Sequence, residues 1–311
     1  MLRRSLLLAT PAFAAVAQTR PLRIVVPFPP GGTVDLLGRL VQPLLEAGLN
    51  QPVVIDNRAG AGGAIGSDHV AKSPPDGLTL VVSNIASQGI GPAVNRALPY
   101  DPMRDFSHIG LIAAVPTALG VSVTSRFETL EQFLDAARRA PGVRVGSSGN
   151  GTSGHAKTEI LARAVPGATI THVPYRGAAP AVLDVIAGNT EGVMAAIADI
   201  GRNDRLRLLA VTSETRAARW PNVPSFAERG FPQLVANNWF GLSGPAGMEP
   251  AVVQRINTAL VAALNQPAVA ERLADLGTTP NRMTPADYTA LVRSEGQRWA
   301  AIVREANITA D

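Results

Sequence analysis

A carboxylate or a phosphate is the natural guest of two loops in this chain. The first, Pro27-Phe28-Pro29-Pro30-Gly31-Gly32-Thr33-Val34-Asp35, follows a short apolar run from Leu22 to Val26 and opens a segment whose apolar residues recur as Val34, Leu37, Leu40, Val41, Leu44 and Leu45. That spacing predicts an amphipathic helix. The loop then delivers backbone N–H groups without intrahelical partners to the positive end of the helix dipole, where negative charge is stabilised. Gly31 and Gly32 permit close backbone approach or a left-handed turn, and the prolines stiffen the loop. A β-branched residue at position 32 is expected to block that geometry or the ligand's approach. The alternative is a tight strand-to-helix turn with no ligand.

The second loop, Ser147-Ser148-Gly149-Asn150-Gly151-Thr152-Ser153-Gly154-His155, follows the strand-like Val143-Arg144-Val145-Gly146. Thr152 or Ser153 suits a helix N-cap, Gly149 and Gly151 permit a concavity lined by N–H groups, and the hydroxyls supply further donors. His155 either contacts a ligand or packs and caps locally. Val173-Pro174-Tyr175-Arg176-Gly177 ends another strand-like run, and Arg176 either reaches a ligand or pairs with Asp184 in the helix that follows.

Other chemistries fit poorly. The cluster Asn57-Arg58-Ala59-Gly60-Ala61-Gly62-Gly63-Ala64-Ile65-Gly66 spaces its glycines as G-x-G-x-x-x-G, and the next strand ends in Ser83-Asn84 where an acid for a ribose hydroxyl is required. Gly63 and Gly66 read as tight packing at a loop–helix junction. No G-x-S-x-G elbow, P-loop or H-E-x-x-H occurs, and His69, His108, His155 and His172 lack metal-ligand spacing. Ser148 with His155 is the one pair with nucleophilic potential, and its spacing does not by itself give a hydrogen-bonded dyad. A hydrolase or oxidoreductase, or a ligand-sensing partner of a signalling protein, stands as the alternative to a binding protein. No catalytic residue, metal site or cofactor is expected.

The elements that must position these loops alternate along the chain. Leu22 to Val26, Val53 to Ile55, Thr79 to Ser83, Leu119 to Val123, Val143 to Ser147, Ile170 to Val173 and Leu206 to Val211 read as strands, and Leu130 to Arg139, His155 to Ala164 and Ala179 to Ala187 as helices. The rhythm predicts an α/β fold with mostly parallel sheets, whose ligands sit beyond the carboxyl ends of the strands. Pro250 to Asn265, Pro267 to Leu276 and Pro285 to Ala306 form a helical end. The stretches 119 to 123 and 238 to 243 are placed to carry the chain out to a second domain and back, which implies hinge closure on a ligand.

Residues 1–17 have the pattern of a signal peptide: Arg3 and Arg4, a mostly apolar run from Ser5 to Val16, and small residues in Ala15-Val16-Ala17. The run is short for a membrane span, which needs about 20 residues. Arg3-Arg4-Ser5-Leu6-Leu7 also fits a twin-arginine signal. Export leaves 26 basic and 24 acidic residues, too balanced for nucleic acid. There is no cysteine, so stability rests on a core that 46% hydrophobic residues can supply. Of the 28 basic residues only Lys72 and Lys157 are lysine, and arginine suits planar recognition of carboxylates.

Taken together, these segments resemble the Bug family, the substrate-binding proteins of tripartite tricarboxylate transporters. The similarity lies in Val26-Pro27-Phe28-Pro29-Pro30-Gly31-Gly32 with Asp35, Asn57 to Gly63, Pro74-Pro75-Asp76-Gly77, Leu98-Pro99-Tyr100-Asp101-Pro102 with Asp105-Phe106, and Gly149-Asn150-Gly151-Thr152 with His155. It continues through Val173 to Gly177 with Pro180, Leu209 to Ser213 and Pro221 to Phe226. The resemblance implies a two-lobed periplasmic binding protein of the Venus-flytrap type, monomeric, that closes on a small carboxylate and presents it to integral membrane permease subunits. Lobe 1 is expected to comprise 18–119 and 241–311, and lobe 2 120–240. Main-chain groups and ordered water are expected to hold the proximal carboxylate, with Phe28, Gly31, Gly32, Asp35 and Ser87 on one wall. Ser148, Asn150, Gly151, Thr152, His155, Tyr175 and Arg176 are expected on the other.

Three departures from the family's pattern touch ligand identity. Leu78 stands where an aromatic residue usually follows Pro-Asp-Gly, and Asn84-Ile85-Ala86-Ser87-Gln88 replaces a loop that often carries Thr and His. Around Gly188 to Arg205 the usual acidic-aromatic pattern is replaced by Asn189 to Asp199, in a segment a few residues shorter. A changed ligand, or loss of binding, follows as an expectation.

Overall fold

Residues 20–278 and 280–309 are described by the structure, a computed structural model, so the signal-like residues 1–17 lie outside the described residues. In the first lobe Leu22–Val26 (β1) lies between Val53–Asn57 (β2) and Thr79–Asn84 (β3), all three parallel. Thr33–Leu49 (α1) and Ala64–Ala71 (α2) make the crossovers. The apolar period read in the sequence becomes the buried face of α1 through Val34, Leu37, Val41 and Leu45. A π turn at Ala86–Ile90 runs into the short Gly91–Val94 (α3).

Phe106–Ser122 (β4) then crosses the molecule as a 17-residue strand. The second lobe repeats the plan of the first. After Leu130–Ala137 (α4), the strands Val143–Ser147 (β5), Ile170–Pro174 (β6) and Gly192–Ala196 (β7) form a parallel trio with β5 in the middle, and Ser153–Ala164 (α5) and Ala178–Ala187 (α6) cross over. One short turn, Ile197–Ile200 (α7), leads toward Leu206–Val211 (β8) and then Asn237–Pro245 (β9), before Pro250–Leu264 (α8), Pro267–Asp275 (α9) and Pro285–Glu305 (α10) end the fold.

The strand order is β2-β1-β3-β9-β4-β7-β5-β6, with β8 also on β4. Every antiparallel pairing involves β4 or β9. β4 pairs with β9 as far as Pro116, opposite Asn237, and from Thr117 onward pairs with β7 and β8. Pro116 has no N–H to give a ladder, so its place at the change of partners fits its chemistry.

The sequence reading found β4 only from Leu119, because Gly110, Pro116 and two bulges interrupt the alternation that marks a strand. It missed β7 altogether. That strand is buried on both faces and rich in alanine, so neither periodicity nor propensity signals it. The C-terminal helices appear as expected: α10 starts on a Thr284/Asp287 capping box and buries Tyr288, Val292, Trp299 and Val303.

Candidate functional site

Both anion-ready loops arrive at one cleft. One part of it is bounded by the β1–α1 loop (Phe28 to Pro30 and Gly32 to Val34), the first turns of α5 and α6, the β7–α7 corner, and Asn84, Asn238 and Phe240. A second part adds the glycine loop Ala59 to Ile65, Ser87 and Tyr100 from the first lobe, facing Ser148 to Gly151 and Tyr175 from the second. Phe28, Pro29, Ala86, Ser148, Arg176 and Gly177 border both parts.

The α1 loop owes its shape to Gly31, whose φ of +90° lies in the left-handed region. Gly32 is extended, φ −84° and ψ 170°, so the left-handed geometry expected there belongs to its neighbour. Asp35 does not border the cleft. Its buried carboxylate accepts from the Gly31 amide (3.0 Å), Arg39 Nε (2.9 Å) and Asn57 Nδ2 (2.9 Å), and so braces the loop from behind. Burial opposes that charge, but the three hydrogen bonds outweigh it and hold the carboxyl below its ordinary value.

In the second lobe Thr152 caps α5, its Oγ1 accepting from the His155 amide and donating to the Gly149 carbonyl (2.7 Å). His155 turns away from the cleft. Its Nδ1 accepts from the Gly151 amide (3.2 Å) and its ring lies 4.3 Å from that of His172, whose Nε2 meets Ser147 Oγ at 2.6 Å. No hydrogen bond joins Ser148 to His155, so no nucleophilic dyad forms.

The Asp184 alternative for Arg176 fails. Asp184 accepts instead from the Tyr175 hydroxyl (2.6 Å) and Asn189 Nδ2 (3.1 Å), while Arg176 faces the cleft with no ion pair among the described residues. Partial burial and the Asp184 carboxylate push the Tyr175 phenol up to about 12, so it serves as a neutral donor. Of the residues singled out in the sequence, Phe28, Gly32, Ser87, Ser148, Asn150, Gly151, Thr152, Tyr175 and Arg176 border the cleft, whereas Gly31, Asp35 and His155 support it from outside.

Two contributors escaped the sequence reading. Ala59 to Gly63 forms a cleft wall, in addition to the packing role seen at Gly66, where an added Cβ would lie 2.9 Å from Pro27 and from the Arg58 carbonyl. Asp199, at the end of the altered segment, reaches the opposite lobe: its Oδ1 accepts from both the amide and the hydroxyl of Thr33, each at 2.7 Å. Burial raises its carboxyl above the ordinary value against the pull of those two bonds.

The imidazoles behind the α5 loop make acid stability a test of this arrangement. Burial, aided by neighbouring His155, pushes His172 down to about 3, and burial lowers His155 as well. The unfolded chain binds these protons near pH 6.5, so between that value and the folded one the unfolded state holds more protons. The stability the neutral rings contribute is therefore present above about pH 6.5 and lost as pH falls toward about 3. Melting temperature is expected to drop between about pH 7 and pH 4, and His172→Gln to flatten the drop. An unchanged slope in that variant would refute the assignment.

The arrangement can hold an anion. The family model described as tripartite tricarboxylate transporter family receptor matches residues 37–308. The chain belongs to that family. Protein BugT of Bordetella pertussis is 36% identical over 304 residues, which span 96% of this chain and 93% of that protein. Among solved structures, R. palustris Rpa4515 with adipate superposes with a TM-score of 0.89 at 32% identity, over 94% of this chain and 98% of the other. MatC (Rpa3494) from Rhodopseudomonas palustris, with bound malate, gives 0.85 at 29% identity, over 91% and 99%. The two-lobed fold and the receptor class implied by the sequence resemblance are thus those of the family, whose members are solute-binding proteins. Among the described residues no helix is long and apolar enough to cross a membrane.

Proposed function

We propose that this receptor captures a small carboxylate in the cleft between its lobes, outside the cytoplasm, and delivers it to the permease subunits of a tripartite tricarboxylate transporter. The observation that carries the reading is the convergence on one cavity of the first turns of α5 and α6 together with Arg176, which has no ion pair among the described residues. Amides at helix starts and a planar cation together suit a carboxylate. Adipate in Rpa4515 and malate in MatC, both small carboxylates, support it. The receptor works as a monomer and performs no turnover.

The lobes we assign are residues 18–119 with 241–311, and 120–240. The change of strand partners between Pro116 and Thr117, and the start of β9 at Asn237, support a crossing three to four residues before each of those boundaries. A signal peptide over 1–17 accords with periplasmic delivery.

A thermal-shift panel of mono-, di- and tricarboxylic, aromatic and amino acids tests the reading. A true ligand at 100 times its Kd is expected to add about 2.7 kcal/mol of stability, a rise of several degrees, while remaining chemically unchanged. If no acid raises the melting temperature, or if a bound acid is converted, the receptor reading is wrong.

A further inference from the structure

The place where α1 would greet a cargo carboxylate already holds one from the protein. Asp199 Oδ1 takes both the amide and the hydroxyl of Thr33, the first residue of that helix. The dipole there is answered, and the two donors are spent. Asp199 Oδ2 takes no hydrogen bond from a described residue, and the residue borders the cavity that α5 and α6 open onto.

Asn238 borders the same cavity and is 5% exposed. Its Nδ2 donates to Thr117 Oγ1 (3.2 Å), which leaves its Oδ1 buried without a partner. Both acceptors thus belong to side chains that line this part of the cavity. A buried acceptor left unpaired is costly, so the cargo is required to bring a donor. Elsewhere the cavity is bordered by the first turns of α5 and α6 and by Arg176, all of them suited to an anion.

Charge decides between cargoes. A second carboxylate placed against Asp199 would meet a like charge in a cleft where water screens the repulsion poorly, whereas an ammonium there would be attracted to Oδ2 and would donate to Asn238 Oδ1. Resting on the carboxylate-receptor reading, we propose that Asp199 and Asn238 form an ammonium subsite, so that this receptor takes an amino acid in preference to a dicarboxylate of matching length. The cargo's carboxylate lies toward α5, α6 and Arg176, and its ammonium toward Asp199.

Calorimetry with matched probes tests this: 3-aminopropanoate, 4-aminobutanoate and 5-aminopentanoate against malonate, succinate and glutarate, on the wild type and Asp199→Asn. Asparagine keeps an oxygen for Thr33 and removes the charge. The wild type is expected to bind the better amino acid at least about tenfold more tightly than its dicarboxylate counterpart, and Asp199→Asn to erase or invert that ratio. Asn238→Ala, a second variant with its own packing, is expected to weaken the amino acid without strengthening the dicarboxylate. A wild type that prefers the dicarboxylates, with the ratio untouched by Asp199→Asn, overturns the ammonium subsite and leaves the receptor reading standing. Failure of both proteins to bind any acid in these probes and in the thermal-shift panel overturns both.

Discussion

Replacing Gly62 by valine is expected to abolish ligand capture while costing the unliganded fold no more than the strain of a β-branched residue in the left-handed region. Gly62 sits at φ +62°, and a Cβ built there would lie 2.6 Å from the carbonyl oxygen of Asn150. The two residues belong to loops that follow β2 and β5, on opposite walls of the cleft, so the clash arises when the cleft is shut. Backbone cannot rotate aside as a side chain can. A β-branched residue in the left-handed region adds about 1–2 kcal/mol of strain of its own. Affinity for the best acid is expected to fall by about 100-fold or more, equivalent to about 2.7 kcal/mol. Gly167→Val separates strain from the clash, since Gly167 has φ +73° and no atom within 4 Å of its built Cβ. That variant is expected to lower stability and leave affinity alone. Small-angle scattering of Gly62→Val with saturating acid is expected to keep the unliganded profile, and normal affinity in calorimetry would defeat the idea that this contact gates closure.

No local pattern in the sequence foretells the approach of Gly62 to Asn150. The loops at Phe28 to Asp35 and Ser148 to Thr152 were legible because their signals are local: prolines and glycines before a helical period, and hydroxyls at an N-cap. Arg176 was visible as a charge at a strand end, but only the Tyr175–Asp184 bond shows why it is left unpaired. The Gly60 to Gly63 loop becomes a wall because β2 lies beside β1 in parallel, a pairing 31 residues apart in register, Leu22 with Val53 and onward. Asp199 depends on β7, which no pattern revealed. Conversely Asp35 and His155 looked like ligand contacts because they stand in first turns, yet local amides at Gly31 and Gly151 claim them.

The second large effect is expected at Lys157, which lies wholly buried on α5 with no carboxylate bonded to it. Its Nζ donates to Thr117 Oγ1 (2.7 Å), Thr212 Oγ1 (3.0 Å) and the Ala236 carbonyl (2.7 Å). Those acceptors belong to β4 where it changes partners, to the residue after β8, and to the residue before β9. One side chain therefore ties together the segments that cross between lobes, and fixes them to the helix whose first turn borders the cleft. Lys157→Ala leaves a cavity and three acceptors without their shared donor, and is expected to cost about 3–5 kcal/mol. Lys157→Met refills most of the space. The Thr212 hydroxyl already donates to Ala236 (2.9 Å) and Thr117 Oγ1 lies 3.1 Å from Ser153 Oγ, so the remaining hydroxyls can satisfy one another. Methionine is expected to recover more than half of the loss.

Charge gives a sharper readout of the same residue. Burial lowers the Lys157 ammonium well below its ordinary value, with Arg298 adding to the effect. Between the folded value and about 10.4, the unfolded chain holds the proton more firmly than the fold does, so stability rises with pH through that window. Below the folded value the full penalty of burying the charge applies. The difference in stability between the wild type and Lys157→Met, measured by denaturant melts at about pH 7 and about pH 9.5, cancels what the tyrosines and surface groups contribute at both pH values. The wild type is expected to gain on the methionine variant as pH rises. A difference that stays flat would mean that the ammonium sits among its three oxygens without penalty, and that Lys157 holds the crossing segments by geometry alone.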